Sequence, residues 1–182
     1  MTTATEVLEG IFIADGVHST FGFSVVHIGI NSFRGSLDDV EATLTAGPEG
    51  LFLGGAAKVE SISIREPAVF RAHILSADFF DAENHPDVTF RSTSVELRDD
   101  GAARVRGELT IAGTTRDISA QGAWRGPVEG PDARTRLAIE LAMSFDRREF
   151  GFEWQMELPG GGEALGWVVG LDVHLELLQQ AG

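Results

Sequence analysis

The chain has 182 residues, 43% of them hydrophobic, with 22 glycines, no cysteine and a formal charge of −14 from 28 acidic and 14 basic side chains. Length and composition fit one folded domain with a sizeable core and many tight turns. The acidity argues against sequence-independent binding of DNA or RNA and against adsorption to an anionic membrane, and the absence of cysteine excludes disulfides and thiolate metal sites.

The opening stretch MTTATEVLEG has neither a basic start nor an apolar run, so no signal peptide is read there. No apolar run elsewhere is long enough to cross a bilayer, and a cytoplasmic protein without stable membrane insertion is the expectation. Residues 11–15 read as a short strand, and residues 18–29 as a strong one with Phe21, Phe23, Val25 and His27 on one face. A kink near Gly29 is expected to lead on into Asn31–Leu37, with the chain turning back over residues 38–45. Gly47-Pro48-Glu49-Gly50 is a turn, and residues 53–64 contain another strand whose weak alternation does not show which side is inward.

Residues 65–91 interrupt this pattern. Pro67 suits a first helical turn, Phe70, Ile74 and Leu75 form one apolar stripe, Ser76 can cap a second short turn, and Pro86 ends it. A helical segment over residues 67–82 is predicted, with Phe79 and Phe80 as a plug or lid over something apolar. A strand over 88–97 follows and stops at Asp99-Asp100-Gly101.

The second half alternates more cleanly. Ala103, Val105, Gly107, Leu109 and Ile111 share one face, and the chain turns at Gly113 and returns over residues 116–124. Residues 126–132 read as a Pro/Gly loop. Leu137, Ile139, Leu141, Met143 and Phe145 then line one strand face, as do Trp167, Val169, Leu171, Val173, Leu175 and Leu177 in the last strand. Long strands with one apolar face, joined by short turns, belong to antiparallel sheets and favour a closed barrel over residues 1–182.

Four blocks carry a family likeness. The first is DGVHSTFGFSVVHIG at 15–29 with Phe33-Arg34-Gly35; the second joins Ser61-Ile62-Ser63, residues 75–81 and residues 86–90. The third is Gly107 to Arg116, and the last is Asp146-Arg147-Arg148-Glu149-Phe150-Gly151. In that order, across nearly the whole chain, they resemble the YceI-like family of bacterial polyisoprenoid-binding proteins. The resemblance implies a mostly β, eight-stranded antiparallel, lipocalin-like barrel with the helical segment near its end. It also implies a lumen that holds a long-chain isoprenoid or similar fatty amphiphile, and a homodimer. Departures are Ala72, where relatives tend to carry an acidic residue, and the missing leader of many exported relatives.

A hydrocarbon has no directional groups, so its recognition must come from burial, at about 0.8 kcal/mol per methylene. Candidate walls are Phe21, Phe23, Val25, Leu109, Ile139, Leu141, Met143, Val169 and Leu171, with Phe79 and Phe80 above them. On pattern alone these residues also fit an ordinary packed core, and only the resemblance points to a hollow one. Arg147 either meets a phosphate head near the mouth or fixes a corner by pairing with Asp146 or another carboxylate. His27 either reaches a ligand's polar end or is structural. His18, His27, His73, His85 and His174 show no metal-ligand spacing, and no phosphate loop, serine elbow or cysteine nucleophile is present, so no metal and no cofactor are expected. Non-enzymatic carriage is the leading expectation. The alternatives are a hydrolase or isomerase using His27 as base and Arg147 as anion clamp, or an interaction module with a filled interior.

Overall fold

The period-two alternation becomes ten strands: β1 (Gly10–Ala14), β2 (Thr20–His27), β3 (Asn31–Leu37), β4 (Val40–Gly47), β5 (Gly50–Lys58), β6 (Asp87–Leu97), β7 (Ala102–Ile111), β8 (Thr114–Glu129), β9 (Thr135–Asp146) and β10 (Leu165–Gln179). This computed structural model describes residues 8–181; residues 1–7, where most of the leader reading lies, fall outside it. One helix, α1 (Ala68–Leu75), lies between β5 and β6. Among the described residues no helix is long and apolar enough to cross a membrane.

The ten strands build eight staves. β1 and β2 lie end to end along β10, with Phe12 opposite Gln179 and His27 opposite Leu165. β3 pairs with β2 and β4 with β1, so they too form one broken stave. From there each stave pairs antiparallel with the next through β10, whose pairing with β1 and β2 closes the barrel. The expected eight-stranded antiparallel barrel is therefore the fold, and among the described residues closure leaves only the far edge of β3 without a strand beside it.

The kink and the turn expected early in the chain have changed places. At Gly29 the chain reverses: Ile28 and Gly29 take φ of 44° and 74°, the Ile30 N–H donates to the His27 carbonyl, and His27 pairs with Asn31. At Asp38-Asp39 it runs straight on, because both backbone N–H groups donate to Ser61 Oγ at 2.9 Å in place of a neighbouring strand. The strand expected over 53–64 starts and ends earlier, as β5, with Leu51, Leu53 and Ala57 buried; Val59–Ser61 form a 3-10 turn. The loop expected over 126–132 is largely strand, since β8 continues to Glu129 after a register shift between Arg125 and Val128.

The helical segment is shorter than residues 67–82. Pro67 caps α1 with extended backbone, and Ser76 ends it by donating its N–H to the His73 carbonyl. Tight turns follow, with Ser76 Oγ accepting from the Asp78 N–H at 3.3 Å. Arg71 ties α1 to the 3-10 turn by donating to the Glu60 carbonyl at 2.7 Å and to its carboxylate at 2.9 Å. Phe70 meets Phe33 of β3 edge to face at 5.7 Å. α1 therefore sits beside β3 at one end of the barrel. That side needs cover: beyond the Leu37–Ile62 bridge and the bonds joining Ser36 to Ser63, no strand lies along the far edge of β3 among the described residues.

Candidate ligand-binding site

The inward residues are not equally covered. At the end away from α1, Leu44, Ile139 and Leu177 are 0% exposed and Phe12 and Leu137 almost as low. In the half nearer α1 the inward Phe21, Phe23, Met143, Phe145 and Val169 keep part of their surface although the barrel wall surrounds them. An inward side chain keeps open surface only beside a hollow, because close packing leaves none.

Two hollows account for it. A mouth cavity of about 490 Å³ lies under α1 and the 152–156 loop, and a mid-barrel hollow of about 90 Å³ lies deeper. The larger one falls within the roughly 300–1,000 Å³ usual for small-molecule sites. Going down each strand gives the order in depth. On β2, His27, Val25 and Phe23 line the mouth cavity, and Phe21 lines both hollows. On β10, Val169 lines the mouth cavity, Leu171 both, and Val173 and Leu175 the deeper hollow. β9 changes over between Phe145 and Met143, and β7 between Ile111 and Leu109. Small side chains at the deeper level, among them Ala42, Gly55, Ala57 and Ala120, leave the space there.

Of the residues singled out from sequence, Phe21, Phe23, Val25, His27, Phe79, Phe80, Arg147, Val169 and Leu171 come together around the mouth cavity. Leu109, Leu141 and Met143 line the mid-barrel hollow. Ile139 lines neither and is packed into the floor. Sequence reasoning missed Phe33 and Phe70, and above all the loop carrying Phe152, Trp154 and Met156. The alternation of those last three, lying between two recognised strands, was the available signal.

The lid is an aromatic lattice. Phe80 packs on Phe23 at 6.2 Å and on Phe152 at 5.6 Å, and Phe79 on Phe152 at 6.3 Å and Trp154 at 5.5 Å. His73 is edge-on to both Phe79 and Trp154 and is held by Asp78 at 2.9 Å. Edge-to-face pairs fix ring geometry beyond their area of burial, so the turns after α1 are tied to the 152–156 loop.

Arg147 is 1% exposed and meets no carboxylate among the described residues. Its Nε donates to the Gly166 carbonyl at 2.9 Å, Nη1 to Phe152 at 2.7 Å and Nη2 to Leu165 at 3.4 Å, with the Trp167 ring 4.2 Å from its guanidinium carbon. Burial pushes its pKa down, against the pull of Asp146 and Glu163. Asp146 takes Arg148 instead, and its carboxylate also accepts the Arg148 N–H at 3.0 Å to cap the 3-10 turn of residues 147–150. Arg147 thus fixes a corner, through carbonyls rather than the carboxylate expected from sequence. His27 is exposed at the rim, and His174 is exposed outside.

Outside the cavity Asp15, His18 and Glu176 converge within 4.8 Å. Arg136 already pairs with two of the three, 2.8 Å from Glu176 and 3.6 Å from Asp15. The hydrogen bond between His18 and Asp15 lowers the carboxyl pKa and raises that of the imidazole.

Comparison with known proteins follows the same outline. The YceI-like domain family model matches residues 12–181. A UPF0312 protein of Pseudomonas putida is 27% identical over 169 residues, covering 91% of this chain and 84% of that protein. The crystal structure of the Campylobacter jejuni YCEI protein superposes with a TM-score of 0.71 at 24% identity, over 86% of this chain and 90% of that one. A polyisoprenoid binding domain from Saccharophagus degradans superposes with a TM-score of 0.70 at 11% identity, over 95% and 100%.

Proposed function

Because this chain belongs to the YceI-like family, we propose that it binds and carries an isoprenoid or similar amphiphilic lipid in the mouth cavity without transforming it. One observation carries the reading: apolar side chains enclosed by the barrel, Phe23 and Val169 among them, keep surface that no protein atom covers. Uncovered apolar surface costs about 25 cal/mol per Å², and a hydrocarbon tail recovers it. The polyisoprenoid binding named for the Saccharophagus neighbour supports an isoprenoid over a polar ligand.

The polar groups at the cavity favour a neutral head. Arg147 is the cation among the lining residues and is engaged by three carbonyls, which leaves His27 and His73 at the rim to meet an alcohol or a quinone-like oxygen. Carriage is favoured over turnover because the lining includes no serine, cysteine or carboxylate among the described residues; His73 has an orienting partner in Asp78, but the neighbouring Ser76 hydroxyl is committed to the His73 carbonyl at 2.7 Å and does not line the cavity. Native mass spectrometry of freshly purified protein, followed by lipid extraction, tests the proposal. Adducts with the mass of a prenol or quinone, and micromolar or tighter binding of farnesol to the stripped protein, are expected. A clean unliganded mass together with no farnesol binding would sink it.

A further inference from the structure

The mid-barrel hollow is assigned to no bound group by the binding reading above, on which the following rests. Its boundary is sharp. Phe21 and Leu171 line both hollows, while their deeper neighbours, Val173 and Leu175, line only the lower and their shallower neighbours, Phe23 and Val169, only the upper. Leu171 pairs with Phe23 and Val173 with Phe21, so the two dividing side chains stand on adjacent strands at adjoining levels. Phe21 is only partly buried, and open space lies above and below it. Below the lower hollow the barrel is blind: Leu44, Ile139 and Leu177 are 0% exposed.

We infer that the mid-barrel hollow is a latent subsite for the far end of an acyclic hydrocarbon tail, divided from the mouth cavity by Phe21, which sets the tail length the protein accepts. At roughly 30 Å³ for each water-sized group in a liquid, the mouth cavity's 490 Å³ holds about sixteen heavy atoms, as many as farnesol has. The hollow beyond Phe21 takes about three more, and the space the ring itself vacates makes room for the rest of a five-carbon unit. With the ring in place, a geranylgeranyl tail leaves its last unit in water; with the ring removed, that unit is buried. Each methylene moved from water to an apolar site is worth about fourfold in affinity.

The experiment measures dissociation constants of geraniol, farnesol and geranylgeraniol for wild type, Phe21→Ala and the double variant Phe21→Ala with Ala120→Leu, which refills the deeper hollow without touching the mouth cavity. In wild type, affinity rises from geraniol to farnesol and then gains less than threefold. In Phe21→Ala, geranylgeraniol gains at least tenfold over farnesol, and the double variant loses that gain. Equal affinity changes for all three alcohols, or a gain that survives Ala120→Leu, overturn the role of Phe21 and leave the binding proposal standing. No binding of any prenol to wild type overturns both. Phe21→Leu carries the same test with a smaller gain if the alanine variant does not fold. Xenon-pressurised crystals give a readout without a prenol: density in the mid-barrel hollow is expected, and its absence there overturns the subsite.

Discussion

The two halves of the barrel share a wall and a residue vocabulary, yet one is solid and the other hollow. In the floor, Leu44, Leu137, Ile139 and Leu177 share one packed cluster and leave 0–2% of their surface exposed. Around the mouth the staves are equally apolar, but Gly55, Ala57 and Ala120 provide little bulk at the level just below, and the lid closes over the top with rings rather than filling the space. Barrel closure therefore does not itself decide whether a lumen is open. The volume of side chain set against each level of the wall decides it, as close packing requires.

A pair of truncations bears hardest on this contrast. Leu177→Ala, in the floor, is expected to cost about 2–5 kcal/mol of unfolding free energy. Val169→Ala, beside the cavity, should cost about 1 kcal/mol or less, since one side of Val169 has no packing to lose, while weakening farnesol binding several-fold. Urea unfolding of both variants checks this; similar costs would mean that the mouth is packed as tightly as the floor.

An intermediate effect is expected at the corner that frames the mouth. Arg147→Met removes three charge-assisted bonds to the carbonyls of Phe152, Leu165 and Gly166 and should cost about 2–3 kcal/mol. The ratio of affinities for farnesol and farnesyl phosphate should not change, because the guanidinium is committed to the backbone. A selective loss of the phosphate would return Arg147 to ligand recognition.

The strands and their faces were legible because the period of two persisted through long stretches such as Leu137 to Phe145. Direction was less so. Alternation looks the same on either side of a reversal, which is why the hairpin at Gly29 and the straight passage at Asp38-Asp39 exchanged places; the second is held by Ser61, distant in sequence. Hollow and packed levels could not be told apart either. Ile139 and Val169 occupy the same kind of position in the same kind of strand, and only the summed volume across eight staves separates floor from wall. The lid helix was anticipated from Pro67 and its apolar spacing, whereas its partners Phe152 and Trp154 lie in a segment without regular structure and left only an aromatic rhythm to follow.

The smallest effect is expected in acid, again at the mouth. Asp146 is held down from 3.8 to about 2, first by the hydrogen bond from the Arg148 side chain and then by that from its N–H. A carboxyl depressed in the folded state contributes stability above its unfolded pKa and loses it as pH falls through the folded value. The corner at residues 147–150 should therefore loosen between about pH 4 and pH 2, and Asp146→Asn should flatten that part of the profile. Trp167, which lies under both arginines, reports the change by its fluorescence; the same profile in Asp146→Asn as in wild type would contradict it.

The interruption after β3 has one further consequence. From Ser36 back to the tip at Gly29, the β2–β3 hairpin hangs as a cantilever from β10, with rings and serine hydroxyls along its other side instead of a ladder of amides. The Ser32 and Arg34 amides should trade protons with solvent sooner than those of β7 or β9.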